Sequence, residues 1–153
     1  MAGKPKTLDL KRCRQIGRSC ACYNLRKAAR AITRLYEDYL RPSGLKATQY
    51  TVLMAAHASG PIPLTRLADI TVTERTTLTR NLNVLEKKGL LKIKAGEDRR
   101  ERLVEITDNG REVLMSAVPL WEKAQVHVEK GLGKDRMGSL LGDLKDVTDL
   151  VRH

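Results

Sequence analysis

Thr73-Glu74-Arg75-Thr76-Thr77-Leu78-Thr79-Arg80-Asn81-Leu82-Asn83-Val84-Leu85-Glu86-Lys87-Lys88 separates into two faces when wound at about 100° per residue. Leu78, Leu82 and Leu85 fall on one side. Thr73, Thr76, Arg80, Asn83 and Lys87 fall on the other, and Arg75 and Thr77 join them at the N-terminal end. Thr73 is placed to cap this helix and Gly89 to stop it. Upstream, Leu64 to Asp69 predicts a short helix after Pro63, followed by the turn Ile70-Thr71-Val72. Downstream, Leu91-Lys92-Ile93-Lys94 and Leu103-Val104-Glu105-Ile106 alternate apolar with polar groups. That alternation predicts two strands, joined through Gly96-Glu97-Asp98-Arg99-Arg100. A helix, a turn, a longer helix and a basic hairpin, in that order over Ile62 to Thr107, make a winged helix-turn-helix.

The polar face of the longer helix carries hydroxyls and guanidiniums without bulky apolar groups. Threonine hydroxyls suit phosphate anchoring, and an arginine fork suits the guanine edge in the major groove of duplex DNA. Thr73, Arg75, Thr76, Thr77, Arg80 and Asn83 are therefore the candidate groove residues. An ordinary solvated helix face would look the same in isolation, and the adjoining hairpin favours the DNA reading. At the hairpin tip, Arg99 and Arg100 can enter the narrow minor groove. Asp98 would repel phosphate unless it serves an arginine, so it is expected to hold the Arg100 guanidinium in a fixed fork.

Around this lobe the chain is helical. Leu25, Ala29, Ile32, Leu35, Tyr36 and Tyr39 predict a helix from about Gly17 to Leu40, stopped by Arg41-Pro42-Ser43-Gly44. Thr48 is placed to cap the next helix, in which Tyr50, Leu53, Met54 and His57 keep the same period up to Gly60-Pro61. Thr107 is placed to cap a long helix with Val113, Leu114, Ala117, Val118, Trp121 and Ala124 in one stripe and Pro119 expected to bend it. A last helix presents Met137, Leu140, Leu141, Leu144, Val147 and Val151. The first and last helices are apolar along one side yet remote in sequence from the winged core, so a second copy of the chain is the simplest cover. Two-fold pairing would also set two reading helices roughly 34–36 Å apart, one turn of DNA. The expected organisation is mainly α with a small β-wing. It comprises a basic mobile arm over residues 1–14, a helical dimerisation base over 15–45 and 112–153, and the winged lobe over 46–111.

With 153 residues the chain is large enough for a real core. Its 29 basic and 18 acidic side chains leave a net charge of +11, which points to a polyanionic partner. The charge is uneven: residues 1–41 hold 11 basic and 3 acidic groups, residues 63–111 hold 11 and 8, and residues 112–153 hold 6 and 7. The lobe must therefore rely on placement more than on bulk charge. Aromatic residues make up 3% and phenylalanine is absent, which disfavours the stacking platforms of single-strand and RNA binders and leaves double-stranded DNA. A charge-only architectural coat on duplex DNA is the alternative to sequence-specific binding. No apolar run reaches spanning length and the start has no apolar signal core, so a soluble cytoplasmic protein without membrane contact is expected. There is no Gly-rich phosphate loop, no nucleophile motif with a partnering histidine and no paired carboxylates in an apolar setting. Neither an enzyme nor a cofactor is expected.

Thr73 to Leu82, then Leu85-Glu86-Lys87-Lys88-Gly89-Leu90, Asp98-Arg99-Arg100 and Ile106-Thr107-Asp108-Asn109-Gly110 resemble the signature of MarR-type transcriptional regulators, and the likeness runs in order from about Gly17 to Leu150. The resemblance implies a triangular homodimer with two winged lobes reading a palindromic operator. Asp98 and Arg100 match the family's Asp-x-Arg wing pair, and Thr76, Thr77 and Arg80 fall where such proteins contact the major groove. It also implies a repressor released by a small phenolic or anionic ligand or by thiol oxidation. The ligand pocket it implies lies between dimer base and DNA lobe, where Arg26, Arg30, Tyr50, His57 and Trp121 are the candidates. Packing is the plainer reading of Tyr50 and Trp121, and a hydrogen-bonded core site that of His57.

Cys13, Cys20 and Cys22 crowd the start, an odd number that argues against a disulfide framework. On a continuous helix Cys13 and Cys20 would stand about 10 Å apart, beyond the roughly 7 Å limit for a bridge. Cys20 and Cys22 would point to divergent sides, so a bridge needs two subunits or local unwinding. Arg18 and Arg26 supply a cationic setting that suits redox or electrophile sensing, with inert thiols as the alternative. No CxxC occurs and the histidines are scattered, so no metal is expected.

Overall fold

The computed structural model describes residues 9–98 and 100–150. They fall into two compact units divided between Leu35 and Tyr36.

The first unit holds α1 (Leu10–Ser19) and most of α2 (Ala21–Leu40). Helix begins inside the stretch expected to be a basic arm: Leu10 to Arg14 form the first half of α1, and the Asp9 carboxylate accepts the Lys11 N–H at 3.2 Å. The remainder of that arm, residues 1–8, lies outside the described residues. The single helix expected from Gly17 is divided, because Cys20 adopts an extended backbone at φ −72°, ψ 110°. Two side chains stabilise the break. The Asn24 amide donates to the carbonyls of Gly17, Arg18 and Cys20, and the Cys20 Sγ accepts the Tyr23 N–H at 3.4 Å. Carbonyls stranded at the end of one helix are thus satisfied from the first turn of the next.

The second unit contains the winged lobe. After the last turn of α2, a 3-10 turn (Arg41–Ser43) ends at Gly44, whose φ of 72° is left-handed. Helix α3 (Ala47–Ser59) starts two residues earlier than expected: its cap position is Lys46, whose N–H is accepted by Gln49 Oε1 at 3.1 Å, so Thr48 is not the cap. Helices α4 (Leu64–Thr71) and α5 (Arg75–Lys87) follow. The turn between them is Val72-Thr73-Glu74, two residues later than the sequence suggested. Val72 closes α4 at φ 47°, ψ 46°, a left-handed conformation that costs a β-branched residue about 1–2 kcal/mol. Its N–H and that of Thr73 satisfy the carbonyls of Asp69 and Ala68.

Strands β2 (Leu91–Ala95) and β3 (Arg102–Ile106) pair antiparallel with Leu91 opposite Ile106 and Ile93 opposite Val104. A third strand, β1 (Ile62–Pro63), pairs with β3, giving the order β1-β3-β2 where the sequence predicted two strands. Leu91, Ile93, Val104 and Ile106 turn one face of the sheet to the core. Lys92 and Lys94 meet Glu105 on the other face, at 3.5 and 2.7 Å. The hydrogen bond from Lys94 holds the Glu105 carboxyl below its ordinary range and raises Lys94 in return.

Helix α6 (Asp108–Leu132) runs unbroken through Pro119, and α7 (Lys134–Leu150) follows Gly133. The core joins Leu40, Leu53, Leu67, Leu78, Leu82, Leu85, Val104 and Leu114. A tight joint links α5 to α6. The Gly89-Leu90 turn ends α5 in a left-handed Schellman arrangement, with Leu90 N–H on Leu85 O and Gly89 N–H on Glu86 O. The Thr107 hydroxyl then donates to Gly89 O at 2.6 Å and accepts the Gly110 N–H at 3.0 Å, while Thr107 N–H reaches Leu90 O. Thr107 is thus the cap that the sequence indicated. No helix among the described residues is long and apolar enough to cross a membrane.

Candidate nucleic-acid interface

Leu78, Leu82 and Leu85 are fully buried, so α5 can seat in only one rotation. That rotation leaves Arg75, Thr76, Thr77, Arg80 and Asn83 exposed together. Burial of the three leucines contributes about 1.5–3 kcal/mol each and fixes the aim of the opposite face. Among the described residues no carboxylate forms an ion pair with Arg75 or Arg80. Both guanidiniums keep their donors for a partner. Thr73 stands apart from this set: it is half-buried in the turn, and its hydroxyl donates to the Thr71 carbonyl at 3.0 Å. The cap position of α5 is Glu74, with no side-chain hydrogen bond, so the helix starts one residue later than the Thr73 cap suggested.

The wing carries its charge at the tip. Gly96 N–H donates to Glu101 O and Glu101 N–H to Asp98 O, closing the turn. The Asp98 carboxylate accepts the backbone N–H of Arg100 at 2.9 Å, and among the described residues it makes no ion pair with the Arg100 guanidinium. The expected fork is therefore replaced by a backbone clamp: Asp98 shapes the turn and leaves the exposed Arg100 side chain available. Arg99 lies outside the described residues. A side chain that the sequence did not single out joins wing to helix, because Glu86 Oε1 accepts the Ile93 N–H at 3.0 Å. Its signal was its place in the Leu85-Glu86-Lys87-Lys88-Gly89 run, about one turn beyond Asn83, the last candidate groove residue.

The candidate ligand residues are dispersed in role. Tyr50 is buried and stacks on Trp121 with ring centroids 6.5 Å apart and planes 14° apart, so within the lobe this pair is core. Burial, with a smaller push from Glu122, raises the Tyr50 phenol. His57 is exposed on the last turn of α3, not a core histidine. Arg26 and Arg30 stand exposed on α2, in the first unit. An open cleft of about 900 Å³ lies elsewhere on α6, lined by Tyr39, Pro119, Lys123, Val126, His127 and Lys130, with Tyr39 Oη 2.9 Å from His127 Nδ1. Cys13 and Cys22 are exposed, Cys20 is half-buried, and all three are free thiols. No group of three His, Cys, Asp or Glu among the described residues is placed to hold a metal ion.

A model of the MarR family matches residues 43–101, which covers α3, the helix-turn-helix and most of the wing. The chain is similar to the M. tuberculosis transcriptional regulator MosR solved in complex with DNA: 38% identity, TM-score 0.77, 88% of this chain and 100% of that one. A MarR variant from E. coli complexed with operator DNA superposes with a TM-score of 0.78 at 25% identity, over 92% of this chain and 99% of that one. Among curated relatives, the uncharacterized HTH-type transcriptional regulator YwoH of Bacillus subtilis is 32% identical over 85 residues, 56% of this chain and 62% of its own length. SarZ of Staphylococcus epidermidis is 29% identical over 93 residues, 60% of this chain and 63% of its own. The matches thus span just under two thirds of those two regulators.

Proposed function

Because the chain belongs to the MarR family of transcriptional regulators, we propose that it is a sequence-specific repressor that grips a palindromic duplex operator as a homodimer. The observation that carries this reading is the exposed Arg75, Thr76, Thr77, Arg80 and Asn83 face over a fully buried leucine row. Arg80 reads a guanine edge, Thr76 and Thr77 anchor phosphates, and Arg100 enters the flanking minor groove. The net charge of +11 draws the protein to the polyanion, and the placed groups choose the sequence.

Pairing is supported by apolar side chains left in the open. Leu140, Leu141, Leu144, Val147 and Leu150 are exposed on α7, the last at 71%. Leu10, Ile16, Tyr23 and Ile32 are exposed on α1 and α2. A second copy covers such surface and supplies the second reading helix.

Release occurs through the thiols or through a small phenolic or anionic ligand. The thiol route is supported by accessible Cys13 and Cys22 beside Cys20 at the break between two helices, and the ligand route by the exposed Arg26 and Arg30. Peroxide takes a thiolate to a sulfenic acid, and a second thiol converts that to a disulfide with loss of water.

At physiological salt the protein is expected to keep its operator against a large excess of random duplex. A protein that binds by charge alone would be displaced by that excess and would show a steep salt slope without sequence preference. In the same assay peroxide should release the native chain but not a variant with Cys13→Ser, Cys20→Ser and Cys22→Ser. Equal responses would remove the thiol route.

A further inference from the structure

We propose that Glu86 is a positioning residue for DNA recognition, tying the hairpin to the reading helix so that Arg80 and Arg100 meet the duplex as one unit. The inference rests on the DNA-binding reading above. Glu86 is the next-to-last residue of α5, the helix that presents Arg80. Strand β2 leads directly into the turn that carries Arg100, and among the described residues it lies at the edge of the sheet, paired with β3 alone. The N–H of Ile93, midway along that strand, faces outward and is taken by Glu86 Oε1 at 3.0 Å. The bond bridges seven residues and adds a second tie between α5 and β2 beside their covalent connection through the Gly89-Leu90 turn.

The β3 side of the hairpin is fixed by its pairing with β1 and by buried Val104 and Ile106, whereas without the Glu86 bond the outer edge of β2 is held by the packing of Leu91 and Ile93 and can rock about it. Anchoring the outer edge of β2 to α5 removes that freedom before DNA arrives. Less orientational entropy is then lost when two grooves are engaged at once. The bond needs an acceptor oxygen at this position and does not need a negative charge, so glutamine can replace glutamate here.

The test compares wild type, E86A, E86Q, R100A and the E86A/R100A double variant by operator titration. It adds hydroxyl-radical footprinting of the minor groove and dimethyl sulfate protection of guanines in the major groove. E86A is expected to lose affinity by roughly fivefold to tenfold, with minor-groove protection fading and guanine protection retained. E86Q should stay within about twofold of wild type because its amide oxygen accepts the same N–H. The double variant should be no weaker than R100A, since the two residues act through one contact. A merely structural role would lower both kinds of protection together. E86A binding and footprinting like wild type, E86Q as weak as E86A, or additive losses would each overturn the proposal alone. Wild-type protein that protects no duplex would overturn the DNA-binding reading with it.

Discussion

Replacing Gly110 by alanine is expected to destabilise the folded chain by about 3 kcal/mol or more, far outside the usual sign of such a change. In a helix, glycine to alanine ordinarily stabilises by about 1 kcal/mol, because the methyl restricts the unfolded chain. Here the first turn of α6 lies directly on the end of the α5–β2 turn. A Cβ on Gly110 would overlap the carbonyl oxygen of Leu90 and sit 2.8 Å from its carbonyl carbon and from Ile106 Cγ1. Two of those three atoms are backbone, and the same carbonyl accepts the Thr107 N–H. Relief therefore requires the whole joint to open, with loss of the Thr107 bonds to Gly89 and Gly110. Urea denaturation followed by circular dichroism measures the effect. A G110A midpoint equal to or above that of wild type would show that the joint is looser than described.

Arg80→Ala is expected to weaken operator binding by about 1–3 kcal/mol, roughly fivefold to 150-fold, and to relax preference at one base pair in each half-site. Fold stability should be nearly untouched, because Arg80 is exposed and makes no ion pair among the described residues. The shape of the loss identifies the role. A guanine contact is lost from the cognate site far more than from random duplex, whereas a neutral phosphate contact such as that assigned to Thr76 weakens all sequences alike and leaves the salt slope unchanged, and a cationic phosphate contact also lowers that slope by about one. Titrating both duplexes at two salt concentrations separates these cases. Unchanged affinity and unchanged base preference in R80A would remove the groove assignment.

The reading helix was legible because Leu78, Leu82 and Leu85 impose a helical period that leaves one rotation for α5, and the structure buries all three. The wing strands were legible by the same logic at period two. Strand β1 was not: a two-residue strand has no period, and its pairing with β3 depends on chain 40 residues away. The break at Cys20 was hidden because neither glycine nor proline marks it; it is stabilised by the Asn24 amide folding back onto three carbonyls. Thr73 and Thr48 carry good cap chemistry, yet the caps fall at Glu74 and Lys46. In the first case the Thr73 hydroxyl is already engaged by Thr71, and in the second Gln49 serves the Lys46 amide. For Asp98 the residue was legible and its partner was not, since a carboxylate next to two arginines also lies within reach of their backbone.

The small sheet has consequences for colloidal behaviour as well as for recognition. A strand edge with unsatisfied amides is a template on which another molecule can stack, and repeated stacking grows fibrils. Here one margin is only two residues long and includes Pro63, which has no amide hydrogen to offer. The other margin has a central amide already occupied by Glu86 and is studded with Lys92 and Lys94. Neither side invites a stranger's backbone, so crowding many copies together carries little risk of cross-β assembly.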